Sequence, residues 1–199
     1  MTAPLVLDPQ TTAFLFMDFQ NGILPLLGDR ADEVIRPALA VLEAARAASA
    51  LVVFVRVAFR PGYPEVSDRN MSGGALKATG RLLLDAPDSQ IIEAMAPRPT
   101  EPVVVKHRVG PFGGTDLAPI LRARGASTLV LLGVATSGVV LSTVRHAADE
   151  DYRLVVVEDA CADRDPEVHR VLMEKVLPRQ ATVVRSEAAI AAVGAVAAR

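Results

Sequence analysis

Short apolar runs alternate with longer stretches of helical periodicity along the chain. The runs have the length of buried strands and lie at 12–17, 51–58, 102–105, 128–134, 153–157 and 181–184. Between them, apolar residues recur at every third or fourth position, as on one face of a helix. Helices are predicted from a cap at Asp29 or Asp32 to Ala50, and at 89–95, 117–124, 140–149, 165–177 and 187–197. This alternation predicts a three-layer α/β/α fold with a doubly wound, Rossmann-like, six-stranded parallel sheet.

The stretch from Leu129 to Thr143 joins the fourth strand to a helix through a turn of small residues at 133–138. In an open parallel sheet, ligands bind just beyond the carboxyl ends of the strands. Small side chains in such a turn let a substrate approach backbone amides at the start of a helix. The turn is therefore predicted to form the floor of the substrate pocket.

Length and composition favour one compact domain over residues 1–199, because 51% of the chain is hydrophobic. The segment 60–101 interrupts the alternation of strands and helices, and excursions of this length are usually functional. We predict that it is a lid or an interface. Aromatic residues make up 4% of the chain and the net charge is −2, so nucleic acid is not an expected partner. The expected partner is a small molecule.

The single cysteine, Cys161, cannot form an internal disulfide, and the first ten residues lack a basic region followed by an apolar one. Both observations favour a cytoplasmic protein. Every apolar run ends well before the ~20 residues that a membrane span needs, so no membrane association is expected. A lone cysteine in a turn after the fifth strand is typical of packing rather than of catalysis.

Two ionisable residues, Asp18 and Lys106, directly follow apolar strands. Charged groups are rare in such places unless they are paired or functional. Since the carboxyl ends of parallel strands share one edge of the sheet, the two side chains are candidates for a catalytic pair. An ordinary structural ion pair, or two strand ends that simply emerge into solvent, would give the same pattern.

Four segments carry a resemblance to a known family. They are FLFMDFQNGI at the first strand, VVVKHRVGPFGGTDL at the third, LLGVATSGVVLSTVRHAAD at the fourth and YRLVVVEDACAD at the fifth. In order and spacing they resemble the isochorismatase-like hydrolase superfamily, which includes nicotinamidases, N-carbamoylsarcosine amidases and isochorismatases. The resemblance covers nearly the whole chain and implies an isochorismatase-like version of the predicted fold.

The resemblance implies an Asp, Lys, Cys triad whose first two members map onto Asp18 and Lys106. Val139 stands where the nucleophilic cysteine is expected. Because valine has no nucleophilic group, a covalent thiol route is not available at this position. Isochorismatases of the same superfamily also lack that cysteine, and in their branch the reaction implied is hydrolysis of a vinyl ether by proton transfer and capture of water.

We therefore predict a hydrolase of a small metabolite in which Asp18 is the general acid or base. Lys106 would orient Asp18 and stabilise charge. Two alternatives stay open. One is a non-catalytic binding or scaffold protein derived from a cysteine amidase, and the other is hydrolysis of an amide by a water molecule that Asp18 activates.

The expected substrate-binding residues surround the pair and the turn. They are Phe19, Gln20, Phe112, Ala135, Thr136, Ser137, Gly138 and Val139. Backbone amides around Ala135 and Val139 are expected to bind a developing oxyanion. The resemblance also implies a non-proline cis peptide between Val134 and Ala135.

No metal or cofactor is expected. Nicotinamidases place an Asp and two His after the second strand, whereas residues 59–63 of this chain read Phe-Arg-Pro-Gly-Tyr. His146 and His169 lie on predicted helices without ligand partners three or four residues away, so both are predicted to be surface residues. Because the last helix, 187–197, is strongly apolar and family members are commonly oligomeric, a homodimer or larger homo-oligomer is expected.

Overall fold

A computed structural model describes residues 5–197. Its sheet contains six strands, all parallel, in the spatial order β3-β2-β1-β4-β5-β6. The strands are β1 Thr12–Met17, β2 Leu51–Val57, β3 Val103–Lys106, β4 Thr128–Val134, β5 Arg153–Ala162 and β6 Thr182–Val184. The predicted number, order along the chain and parallel direction of the strands are confirmed.

Helices cover both faces of the sheet. They are α1 Ala31–Ala47, α2 Met71–Thr79, α3 Leu117–Ala123, α4 Leu141–Asp149, α5 Pro166–Val171 and α6 Ser186–Ala197. Helices α1 and α6 pack on one face with Phe14 and Phe16, whereas α3 and α4 pack on the other face with Leu15 and Met17. Successive side chains of β1 thus point to opposite layers, as expected for a strand buried on both sides.

The segment 60–101 differs from its prediction. The expected helix at 89–95 is wrong, because only the short 3₁₀ turns Pro87–Ser89 and Glu93–Met95 form there. The chain between them is extended, and Ile92 donates a backbone hydrogen bond to Phe19. The true helix is α2, which the Asn70 side chain caps by accepting from the Gly73 amide. Its two internal glycines had made this stretch resemble a loop.

Several element ends also differ from the sequence prediction, among them the end of α1, which lies at Ala47 instead of Ala50. Neither Asp29 nor Asp32 caps α1, because a 3₁₀ segment, Leu24–Arg30, leads directly into the helix. Strand β5 continues to Ala162 instead of ending at 157, with a shift in its pairing to β4. Helix α5 is capped by Asp165 and continues as π and 3₁₀ turns to Arg179. No helix in the described part of the chain is long and apolar enough to cross a membrane.

Candidate active site

Asp18 and Lys106 meet at the carboxyl edge of the sheet. Asp18 follows β1, Lys106 ends β3, and β2 lies between these strands. The Lys106 Nζ atom lies 2.9 Å from Asp18 Oδ2, which confirms the prediction that separate strands bring the two side chains together. Lys106 Nζ also donates a hydrogen bond to the carbonyl oxygen of Arg108.

The pair is almost fully removed from solvent, with Asp18 5% and Lys106 2% exposed. Burial raises the pKa of the Asp18 carboxyl, because it disfavours the charged form, and the positive charge of Lys106 only partly offsets this. Asp18 Oδ1 accepts no hydrogen bond from any described residue. That is unusual for a buried carboxylate oxygen and leaves one acceptor of the pair unused by the fold.

Asp18 has a φ of +61°, in the left-handed region that few residues other than glycine adopt. Its amide still donates to the carbonyl oxygen of Val55. The neighbouring strand approaches very closely here, since a Cβ atom on Gly133 would lie 2.6 Å from the Met17 carbonyl oxygen. The absence of a side chain at Gly133 therefore lets β4 pack against the end of β1, where the carboxylate leaves the sheet.

A cavity of about 220 Å³ opens above the pair. This is smaller than the roughly 300–1,000 Å³ of sites for drug-sized ligands. The described residues that line it are mostly apolar: Ile23, Leu26, Leu27, Val57, Phe59, Leu76, Val109, Val134, Ala135 and Val139. The remainder are Asp18, Asn70, Ser72, Gly73, Lys106, His107, Arg108, Gly138 and Arg164. The cavity therefore suits a small ligand with an apolar body.

The predicted turn forms part of the cavity floor. The Val134–Ala135 peptide is cis, as predicted, and a single π turn, Thr136–Val140, leads into α4. Ala135, Gly138 and Val139 line the cavity, and Val139 is 2% exposed. The structure therefore brings Asp18, Lys106 and three of the five binding residues predicted at 135–139 to one cavity.

The other two predicted binding residues of this region, Thr136 and Ser137, are not among the residues that line the cavity. Thr136 Oγ1 lies 2.8 Å from His169 Nδ1, and the Ser137 amide donates to Asp163 Oδ2 at 2.7 Å. The predicted surface position of His169 is wrong, because its ring is half-buried against the turn, and burial lowers its pKa. Nothing local in the sequence signals the hydrogen bond between Asp163 and Ser137.

Three other predicted binding residues also lie outside the cavity lining. Phe19 is buried in the core beside Phe16, because the left-handed turn at Asp18 ends the strand alternation. The Gln20 side chain donates to two backbone carbonyl groups, of Val57 and Ser89, and thus ties the excursion to β2. Phe112 stacks on His146 with ring centroids 4.3 Å apart. The roles of all three are in packing and folding contacts.

The segment 60–101 contributes a wall that the sequence did not identify. The cap residue Asn70 and the α2 residues Ser72, Gly73 and Leu76 line the cavity. Because a helix was not expected here, these contacts could not be anticipated. The sequence signal was present in Asn70 as a cap and in Gly80, whose positive φ ends the helix.

Cys161 does not line this cavity. It lies within β5, is 4% exposed, and its Sγ atom lies 3.8 Å from the Leu131 carbonyl oxygen. Burial raises the pKa of the Cys161 thiol to about 12. At neutral pH the thiol therefore carries almost no thiolate, the form that reacts as a nucleophile.

Residues 12–188 match the family model described as the isochorismatase domain. The chain is 34% identical to the uncharacterized isochorismatase family protein YecD of Escherichia coli O157:H7, over 90% of this chain and 94% of that protein. It is 32% identical to the ureidoacrylate amidohydrolase RutB of Methylobacterium radiotolerans, over 87% of this chain and 76% of that protein.

A solved structure has the same architecture. An isochorismatase family protein from Burkholderia thailandensis superposes with a TM-score of 0.83 at 30% identity, covering 96% of this chain and all of that one. The shared fold, together with the sequence matches over most of the chain, is consistent with the doubly wound sheet described above.

Proposed function

The chain belongs to the isochorismatase family and is a hydrolase, and from this premise we propose that it hydrolyses a small amide with water as the attacking group. The amide class is suggested by the similarity to a protein named as a ureidoacrylate amidohydrolase. The choice of water follows from the residue at position 139. Asp18 would be the proton-transfer group, and Lys106 would hold it in place.

The absence of a protein nucleophile is supported by the two relevant positions. Val139 lines the cavity where the family resemblance places a cysteine, and its side chain cannot form an acyl intermediate. Cys161 is buried within β5, outside the cavity, and its thiol has a raised pKa of about 12. Neither residue offers a thiolate to a substrate above the Asp18–Lys106 pair.

The observation that carries the proposal is the unpartnered Oδ1 of Asp18. In its ionised form this atom would accept a proton from water as the water oxygen bonds to the amide carbon. Asp18 would then return the proton to the nitrogen as the C–N bond breaks. Backbone amides near Ala135 and Val139 would stabilise the negative charge that develops on the carbonyl oxygen.

A second candidate reaction is hydrolysis of a vinyl ether, and the raised pKa of Asp18 favours it. In its protonated form Asp18 would donate a proton to the enol-ether carbon, and water would bond to the resulting oxocarbenium ion. The hemiketal that forms would then release an alcohol and leave a carbonyl compound. Both reactions use the same pair, but they require opposite protonation states of the carboxyl.

The test is a screen of small amides, vinyl ethers and esters with the native protein and with Asp18→Asn. Because loss of a positioned proton-transfer group removes a factor of ~100 or more, the Asp18→Asn variant should be almost inactive. Asp149→Asn, at the exposed end of α4, is the matched control and should retain activity. Turnover that survives in Asp18→Asn would contradict both reactions.

The pH dependence of kcat/KM separates the two reactions. An Asp18 that acts as a base gives a rate that rises with pH through its pKa, whereas an Asp18 that acts as an acid gives a rate that falls. The competing idea, a non-catalytic binding protein, predicts saturable binding of screened compounds without turnover by either protein. That outcome would overturn the enzymatic proposal.

A further inference from the structure

Lys106 supplies a buried amine to a largely apolar cavity. Its side chain is only 3% exposed, and the same cavity lining includes Val134 and Val139. Among the residues that the structure describes, Nζ has two hydrogen-bond acceptors. They are Asp18 Oδ2 at 2.9 Å and the Arg108 carbonyl oxygen at 3.2 Å. Because a lysine ammonium has three N–H groups, one position on this nitrogen is left for a ligand in the cavity.

The Lys106–Asp18 pair can lose both of its charges without losing its hydrogen bond. In water, a lysine amine is almost entirely protonated at neutral pH and does not react as a nucleophile. Burial disfavours the charged form of an ammonium as well as that of a carboxylate. The 2.9 Å contact lets one proton move from Nζ to Oδ2, which leaves a neutral amine beside a carboxylic acid. The ion pair is the resting form, and the neutral pair is the reactive form.

The chemistry of a neutral lysine amine selects the class of substrate. In enzymes, such an amine forms imines with carbonyl substrates. Attack on an amide would only transfer the acyl group to Lys106 as another stable amide, so the hydrolysis proposed above does not use this nucleophile. A ketone has no leaving group and loses its oxygen as water instead. The apolar lining and the volume of about 220 Å³ suit a small uncharged ketone.

We propose that Lys106 forms an imine with a small uncharged ketone and that Asp18 then removes a proton from the carbon next to the former carbonyl group. The resulting activity is exchange of the α-hydrogens of the ketone with solvent. It goes beyond the proposed hydrolysis and does not depend on it, because it uses the amine of the pair as the nucleophile and a different class of substrate.

Each step of this reaction conserves atoms and charge. Nζ bonds to the carbonyl carbon while the protonated Asp18 gives its proton to the carbonyl oxygen. The nitrogen returns a proton to the carboxylate, which passes it to the new hydroxyl group, and that group leaves as water. The product is a protonated imine, whose positive charge takes the place of the ammonium beside Asp18. The unpartnered Oδ1 then accepts the α-proton, which gives an enamine. Reversal of these steps releases the ketone.

The other lysines of the chain are internal controls for imine formation. They are Lys77 and Lys175, and both are exposed. The native protein is incubated with 2-butanone and sodium cyanoborohydride, which reduces an imine to a stable secondary amine, and peptide mass spectrometry locates the label. Because binding places the ketone beside the amine, we expect label on Lys106 to exceed that on either exposed lysine by about 10-fold or more. Unfolding the protein in urea should remove this selectivity.

Proton removal is measured separately, as incorporation of deuterium into 2-butanone from D₂O by NMR. Lys106→Met should abolish protein-dependent exchange, whereas the matched control Lys77→Met should retain it. Asp18→Asn should reduce exchange by a factor of ~100 or more, because the proton-transfer group is lost. Since the labelling experiment uses the native protein, it does not depend on how well any variant folds. Label on Lys106 no greater than on the exposed lysines, or exchange that survives in Lys106→Met, would overturn the proposal.

Discussion

Replacing Lys106 by methionine removes the positive partner of a buried carboxylate and keeps a side chain of similar length. The Nζ–Oδ2 distance is 2.9 Å, and the lysine and aspartate side chains are only 3% and 7% exposed. At an effective dielectric constant of about 20, the attraction over this distance is roughly 6 kcal/mol. Because the Asp18 carboxylate would then be buried without a partner, we expect a loss of about 3–5 kcal/mol in the free energy of unfolding at neutral pH.

Urea denaturation measures this loss, and the chain offers a matched exposed pair. Lys77 Nζ lies 3.2 Å from Asp68 Oδ1, with side chains 42% and 95% exposed. Lys77→Met should therefore cost no more than ~1 kcal/mol. Asp18→Asn combined with Lys106→Met leaves no charge to bury, so the double variant should regain about 2 kcal/mol relative to Lys106→Met alone. A Lys106→Met loss as small as that of Lys77→Met would refute the account of the pair.

The pH dependence gives an independent check with a definite sign. Since burial raises the pKa of Asp18 above its unfolded value, the folded state binds a proton more readily than the unfolded state. Stability contributed by this group is therefore complete below the unfolded pKa of about 4 and is lost as the pH rises through the folded pKa. The cost of Lys106→Met should accordingly be smaller near pH 4 than at neutral pH, and Asp18→Asn should remove that dependence.

Three further predictions concern the turn and the assembly. Iodoacetamide should leave native activity intact, because Cys161 is buried and its thiol has a pKa of about 12. In Val139→Cys, by contrast, the new thiol at the cavity floor should be alkylated rapidly, as measured by mass spectrometry. An unmodified Val139→Cys would contradict the position of residue 139 in the cavity lining. Gly133→Ala should destabilise the fold by about 1–3 kcal/mol, because the added Cβ would lie 2.6 Å from the Met17 carbonyl oxygen. The control Gly138→Ala should be tolerated, because the atom nearest to its added Cβ lies 3.8 Å away. Equal melting temperatures of the two variants would contradict the close contact at Gly133. Light scattering should give at least a dimer, and a mass of one 21.1 kDa chain would exclude that assembly.

The strands were predictable because each is a short apolar run with a clear end, and a parallel sheet buried on both faces requires this pattern. Asp18 and Lys106 were predictable for the same reason, since both interrupt such runs at the sheet's carboxyl edge. Helix α2 was not, because its glycines weaken the helical signal and its stability depends on the Asn70 cap and on packing.

The contacts of Thr136 and Ser137 with distant residues could not be predicted from the sequence, for a different physical reason. Asp163 is 26 residues from Ser137, and His169 is 33 residues from Thr136, so only the folded sheet brings them together. Phe19 shows the complementary case. A regular strand would place it on the same face as Met17, but the positive φ of Asp18 turns it toward Phe16 instead. One unusual backbone angle thus reassigns a predicted pocket residue to the core.

The backbone of the turn is therefore held by contacts that do not involve the Val139 side chain. Hydrogen bonds from Thr136 and Ser137 to α5 and the end of β5, together with the close approach at Gly133, constrain the backbone without using any atom of Val139. A change of side chain at position 139 alters the chemistry of the cavity floor but leaves these constraints in place. For that reason, the same fold can have an apolar cavity floor here and still keep the Asp18–Lys106 pair in place, where we propose that it transfers a proton.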